Sequence, residues 1–451
     1  MENANLSLER RTVRKVMMRI LPISFFMYVI AFMDRANIGY AALEMNAALG
    51  ITSEIFGIVA GIFFIGYFLF EVPSNMLLER HGARTCMTRI LVLWGIVAMA
   101  TGLVQTTNQL YILRFLLGVG EAGCFPGLVV YFTYWFRKKE MATSLGLLMT
   151  AVPVSYIISA HFSTWIIDNI HWFGLEGWRW MFILEGAPAL ILGIIVYFYL
   201  TDRPENAKWL QEDEKQWLIS ELNKEKEEKK QEKIPKSSHL QALIDPKIWY
   251  FAFVQFFYVA GDLGMGYWMP QIIKEFSTTL TNTQVGLISI IPYIISAVVA
   301  IYWSYRSDHK LERVFHTSIP LIISAIALLG VGIFIKQPIL AMLFIILFRS
   351  SMYCFKSPFF ALINDRISPA KVAVGVAFIN SIGNLGGFAG PYAIGYLKRI
   401  TGTESSGLYL LSGLLVVSFI MVWALKKEST KGMELLSQSP ILNNKMNNQV
   451  G

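Results

Sequence analysis

Along the chain, apolar runs of about 20 residues alternate with short polar stretches, and a helix of that length crosses the hydrocarbon core of a bilayer. Such runs fall at about 20–43, 55–78, 88–107, 110–135, 141–167 and 178–200, and again at about 248–273, 284–305, 316–335, 338–363, 371–397 and 406–425. The pattern predicts an all-α membrane protein with twelve transmembrane helices in two bundles of six. Between the bundles lies TDRPENAKWLQEDEKQWLISELNKEKEEKKQEKIPKSSH, residues 201 to 239, periodic at first and then almost wholly polar. It reads as a surface helix followed by a flexible stretch. The expected division is a tail over 1–19, a first bundle over 20–200, a linker over 201–247, a second bundle over 248–425 and a tail over 426–451.

Composition agrees with a bilayer and excludes other classes. Of 451 residues, 55% are hydrophobic and only 16% are charged, which is too apolar for an ordinary soluble domain. The first run is longer than a signal-peptide core and no small-residue cleavage pattern follows it, so it is read as a retained span. Cys86, Cys124 and Cys354 show no CxxC or Cys/His spacing, so no disulfide framework, zinc site or other cofactor is implied. No nucleophile elbow, HExxH or phosphate loop points to an enzyme. The net charge of +8 is scattered in short clusters between spans, which fits membrane topology better than a nucleic-acid surface. Arg10, Arg11, Arg14, Lys15 and Arg19 precede the first span, and Arg80, Arg84 and Arg89, then Arg137, Lys138 and Lys139, then Arg306, Lys310 and Arg313 occupy alternate loops. The intervening loops carry few bases, so both termini and the linker are expected in the cytoplasm, in a multi-pass protein of the cell membrane.

The halves echo one another. Glu79 and Asp308 each end a span ahead of basic residues, and Gly146 and Gly375 each open the next odd-numbered helix, both pairs 229 positions apart. This suggests a parallel internal repeat. NMLLERHGAR, residues 75 to 84, is similar to the loop signature of the major facilitator superfamily, with Asn75 where that pattern has Gly and Glu79 where Asp is commoner. SYRSDHK at 304 to 310 is its second-half counterpart. Ordinary positive-inside topology would also produce such a loop. As a functional element, Glu79, Arg80, Gly82, Arg84 and Asp308 would pair across the halves and hold the cytoplasmic side shut in one conformation.

Charge inside the spans is costly and normally faces a cavity or a partner. Asp34, Arg35, Arg114, Glu121, Asp262, Arg349 and Lys356 all fall within predicted spans. Asp34 and Arg35 diverge by about 100° around the first helix, so they do not satisfy each other face to face. Arg114 and Glu121 share one face of the fourth span but stand roughly 10 Å apart, so each needs another partner. Arg349 and Lys356 repeat the seven-residue spacing, and an internal salt bridge from Asp262 to one of them is one reading. The other is that one of these bases supplements Arg35 or Arg114 in holding a carboxylate, which would suit a dianion.

DRANIG in the first span and an arginine followed by GEAGCFPG in the fourth resemble the anion:cation symporter family of the major facilitators. LEGAPALILGIIVYFYLTDRPENAKWL and INSIGNLGGFAGPYAIGYL extend the resemblance over about residues 15 to 425. They are most similar to the bacterial and fungal branch of hydroxyphenylacetate, tartrate and phthalate permeases. The resemblance implies that Asp34 and Glu121 are proton-titrating acids, that Arg35 and Arg114 handle the anion, and that Tyr67 and Asn380 face the substrate. Permanent structural ion pairs are the plainer role for those acids. Asn384, with the glycines beside it, either contacts substrate or hydrogen-bonds between helices. Pro153 and Tyr156 stand where some sugar-acid carriers have an amide. His161 is a further candidate for a coupling role, although packing is the commoner role of a lone histidine there.

The expectation is therefore a secondary transporter that takes up a small organic carboxylate with protons by alternating access, acting as a monomer. A passive facilitator or a sodium-coupled carrier of organic anions with the same fold is the alternative.

Overall fold

The computed structural model describes residues 2–231, 243–310 and 312–437. The later, polar part of the linker expected to be flexible lies mostly outside them. Sixteen α-helices among the described residues make up the chain. In the first half these are α1 (Glu2–Ala48), α2 (Ser53–His81), α3 (Ala83–Thr101), α4 (Thr107–Glu121), α5 (Cys124–Phe132), α6 (Lys138–Met149), α7 (Ala151–Asn169) and α8 (Gly177–Tyr199). The linker contributes α9 (Glu212–Gln231). The second half holds α10 (Pro246–Lys274), α11 (Asn282–Lys310), α12 (Arg313–Ile333), α13 (Pro338–Arg366), α14 (Pro369–Asn384), α15 (Gly386–Thr401) and α16 (Ser405–Ser437).

Twelve spans result. Eleven segments are long and apolar enough to cross a membrane, counting α4 with α5 and α6 with α7 as single spans. The remaining span is α14 with α15, which meet at Leu385 just before two glycines. Span 4 is not the continuous helix its hydropathy suggested, because the backbone turns left-handed at Gly123 (φ +86°), two positions after Glu121. Lipid supplies no hydrogen bonds, so each span closes its own backbone and needs caps only at its ends. Thr106 and Gln109 form a capping box for α4, and the Asp245 side chain accepts from Lys247 N at the start of α10.

Helix continues into the segments expected as tails. Residues before position 20 continue α1 as helix, and α16 runs past residue 426 to Ser437. The extension of α1 is held by the linker helix: Arg11 pairs with Asp213 at 2.6 Å and with Glu214 at 2.8 Å, and Lys15 meets Glu214 at 2.7 Å. Arg137 adds Glu9 at 2.8 Å and Glu221 at 3.6 Å.

The halves meet mainly away from the linker. There α7 packs along α11, α2 along α15 and α1 along α10. Asn282 donates to Glu44 at 2.8 Å, Thr283 N and its hydroxyl each reach Asp168 at 2.6 Å, and Arg399 pairs with Glu54 at 2.9 Å. On the linker side, α5 and α6 make no substantial contact with the second half among the described residues. The two bundles are thus clamped at one end and parted at the other.

Candidate transport site

Span 1 carries Asp34, Arg35 and Asn37 at mid-depth, and its helical twist sends them to different neighbours. Arg35 reaches span 4, where its Nε and Nη2 lie 2.7 and 2.6 Å from Oε1 of Glu121. Its guanidinium sits 4.9, 5.1 and 5.3 Å from the rings of Phe32, Tyr67 and Phe63, an aromatic surround that favours a cation. Asp34 turns the other way. It accepts from Trp94 Nε1 on α3 and from Asn37 Nδ2 at 3.2 Å. Among the described residues Asp34 therefore holds neither arginine, so the structural ion pair weighed for it with Arg35 or Arg114 is not formed.

Arg114 is fully buried beside this pair. Its Nε lies 3.4 Å from the Val59 carbonyl, its guanidinium is 5.6 Å from the Phe63 ring, and Nη1 and Nη2 have no hydrogen-bond partner among the described residues. Glu121 is also fully buried, and its Oε2 has no partner. A guanidinium in a low-dielectric interior with two free nitrogens is costly unless an anion completes it.

The second half supplies a matching cation. Arg349 Nη1 donates to Asp262 Oδ1 at 2.6 Å, while its Nε and Nη2 are buried without partners among the described residues. Lys356, two turns along the same face of α13, is exposed, so Asp262 pairs with Arg349 and not with Lys356. An aromatic layer joins the two centres. Phe32, beside Arg35, packs edge-on to Tyr156 at 6.1 Å, Tyr156 stacks on Tyr293 of the other half at 4.8 Å, and Tyr293 lies 5.4 Å from Arg349. The hydroxyls of Tyr267 and Tyr353 are buried nearby without partners.

Asn380 and Asn384 are half-buried on α14. Between them Ser381 donates to Glu71 of α2 at 2.9 Å, a polar tie across the halves. His161 is exposed on α7. Glu71 and Glu185 are acids that the sequence reading passed over. Both are buried carboxylates within apolar helices, and the same count of charges inside spans applied to FEVPSN and LEGAPAL would have flagged them.

The loop residues expected to bridge the halves are tied within their own half here. Gly82 has φ +83°, and Arg84 N donates to Asp202 Oδ1 at 2.8 Å while Arg84 Nε reaches the Tyr197 carbonyl at 2.5 Å. Asp308 pairs with Arg313 at 2.6 Å, and Arg80 is exposed. The side chain of Glu79 lies outside the described residues.

A clamped and a parted end, with charged groups of both bundles at the middle, is the arrangement of an alternating-access carrier. The Major Facilitator Superfamily model matches residues 24–391 and 276–440. The chain belongs to the major facilitator superfamily. It is a membrane transporter and not an enzyme. It is 43% identical to a protein of Agrobacterium vitis provisionally named a tartrate transporter, over 94% of this chain and 96% of that one. It is 34% identical to a quinolone resistance transporter of Acinetobacter baumannii, over 96% and 99% of the two chains. Among solved structures it is similar to a D-xylose-proton symporter (TM-score 0.74, 14% identity, 90% of this chain and 97% of that one). A bacterial homologue of the lysosomal transporter Spinster, in an inward-facing and unoccupied conformation, shares the fold with a TM-score of 0.74 at 15% identity, over 91% and 96%.

Proposed function

We propose that this facilitator is a proton-coupled symporter that takes up small organic carboxylates, with dicarboxylates of the tartrate kind the favoured class. The observation that carries the proposal is the set of buried guanidinium nitrogens without partners among the described residues, Nη1 and Nη2 of Arg114 in one half and Nε and Nη2 of Arg349 in the other. A carboxylate matches each fork in charge and geometry, and an acid with a carboxylate at each end would engage both halves at once. Two relatives from Agrobacterium vitis provisionally named for tartrate, at 43% and 42% identity, support the choice. So does the anion:cation symporter resemblance of DRANIG and GEAGCFPG.

The Arg35–Glu121 pair supplies a coupling device. A proton on Glu121 weakens its hold on Arg35, and an arriving carboxylate then takes the guanidinium. Tyr67, Asn380 and Asn384 line the approach, and Lys356 lies on the exposed part of the same helical face as Arg349. With the linker and both termini in the cytoplasm, the parted end faces inward, and the protein sits in the cell membrane as a monomer. Turning outward would exchange the ties of Arg84 and Asp308 within each half for contacts between Glu79, Arg80, Gly82, Arg84 and Asp308 across the halves.

The test is thermal stabilisation of the purified transporter against aromatic, hydroxy- and dicarboxylic acids and neutral sugars, followed by uptake into proteoliposomes under an imposed pH gradient. Stabilisation by tartrate and accumulation that needs the gradient are expected. Stabilisation by sugars alone, or accumulation driven equally well by sodium without a pH gradient, would overturn the proposal.

A further inference from the structure

Behind Arg35 and Glu121 lies a second group of buried acids that the substrate chemistry does not use. Asn37 Nδ2 donates to Asp34 Oδ1 at 3.2 Å and to Glu185 Oε2 at 3.1 Å, so one amide bridges carboxylates from spans 1 and 6. The remaining oxygens are also held. Trp94 Nε1 donates to Asp34 Oδ2, Ser163 Oγ donates to Glu185 Oε1 at 2.6 Å, and the Ser159 hydroxyl is 3.0 Å from that of Ser163. Asp34, Asn37 and Glu185 are each at most 2% exposed, and Trp94, Ser159 and Ser163 are fully buried.

Neither carboxylate forms an ion pair among the described residues. The charged or titratable groups facing them are Tyr40 on span 1 and Arg114 and Glu121 on span 4. Span 3 offers Trp94 and span 5 offers only the two serines, since His161 points outward. Arg114 is the cation among these, and it is bonded to neither acid. Two carboxylates sharing one donor in a dry interior do not both ionise, because the second charge meets desolvation and the field of the first.

We propose that Asp34 and Glu185 form one proton-binding pair bridged by Asn37, loaded with a single proton in this conformation, and that Glu185 is a coupling residue. Loading adds one proton to a carboxylate oxygen and raises the charge of the pair from −2 to −1; unloading returns that proton to water on the other side. The Ser163–Ser159 hydroxyls extend the hydrogen-bonded path along span 5. The transport part of this proposal rests on the proton-coupled reading above.

Infrared difference spectroscopy of the reconstituted full-length protein during a pH titration tests the pair without any substrate. Wild type is expected to show a protonated-carboxyl stretching band that loses a component in E185Q, a variant whose amide oxygen can still accept from Asn37 while its NH2 donates to the Ser163 hydroxyl. In D34N the remaining Glu185 band should titrate about two pH units lower, the size of a like-charge interaction across roughly 6 Å at an effective dielectric constant of about 20. An E185Q band equal to wild type in amplitude and midpoint would overturn the proposal, and so would an unmoved midpoint in D34N, which also serves if E185Q fails to fold. In proteoliposomes with radiolabelled tartrate as the probe, E185Q should lose the response to a pH gradient. If wild type itself shows no gradient-driven tartrate uptake, the symport reading fails, while the band titration still judges the pair.

Discussion

Replacing Arg114 by methionine should make the empty transporter more stable and at the same time blind to its substrate. Arg114 is fully buried, and two of its nitrogens have no partner. A buried donor left unsatisfied costs about 1–3 kcal/mol, so the pair costs roughly 2–6 kcal/mol in the empty state. Methionine keeps an unbranched stem of similar course against Phe63 and gives back about 1–2 kcal/mol through imperfect filling of the space. The expected net gain is about 2 kcal/mol. With an unfolding entropy near 2.1 cal/mol/K per residue, a chain of this length gains about 2 °C in Tm from that change. A ligand at a hundred times its Kd stabilises wild type by about 2.7 kcal/mol, or roughly 3 °C on the same scale. The assay is thermal unfolding of purified wild type and R114M with and without tartrate. Empty R114M should melt above empty wild type and show no tartrate shift. An R114M that melts below wild type, or that retains the shift, would show instead that the guanidinium is a satisfied structural group.

Three further outcomes follow from other contacts. Glu121→Gln leaves Arg35 without its 2.6 Å ionic partner, so it should lower stability by about 2–3 kcal/mol, and uptake should stop responding to external pH, as read by proteoliposome transport at several pH values. Gly118→Ala would place a methyl 2.0 Å from the Phe63 carbonyl oxygen, where spans 2 and 4 touch, and should cost about 3 kcal/mol, visible as a fall in melting temperature with or without substrate. The third concerns the linker helix. Burial raises the Glu214 carboxyl, but Lys15, the Gln211 amide and Arg11 more than reverse this and hold it below the usual carboxylate range. A group lowered on folding contributes its full docking stability above the unfolded value of about 4.3 and loses it as pH falls through the lower folded value. Protection from hydrogen exchange in Glu212–Gln231, taken relative to the intrinsic rate at each pH, should thus be high at neutral pH and fall in acid, and Glu214→Gln should lower it already at pH 7.

Periodicity and charge at mid-span were enough to mark most of the polar centre, because a charge in an apolar run is visible without knowing its neighbours. Asp34, Arg35, Arg114, Glu121, Asp262 and Arg349 stood out in this way. Partnership was not visible. That Asp34 meets Trp94, 60 positions away, while adjacent Arg35 meets Glu121, depends on which helices flank each face of span 1. The break after Glu121 was hidden for a related reason. A glycine at positive φ within an apolar run leaves no trace in hydropathy, and only the packing of span 4 against its neighbours selects it.

The sequence by itself determined the solvent, the number of spans, the six-plus-six division and the presence of buried charge, since each follows from local composition and the thickness of a bilayer. Only the tertiary structure decided the pairing of those charges: Arg349 with Asp262 in place of Lys356, Arg35 with Glu121, and Asn37 between Asp34 and Glu185. The physical reason is range. Transfer between water and lipid is a property of one segment, whereas a hydrogen bond about 3 Å long between helices is fixed by how whole bundles pack.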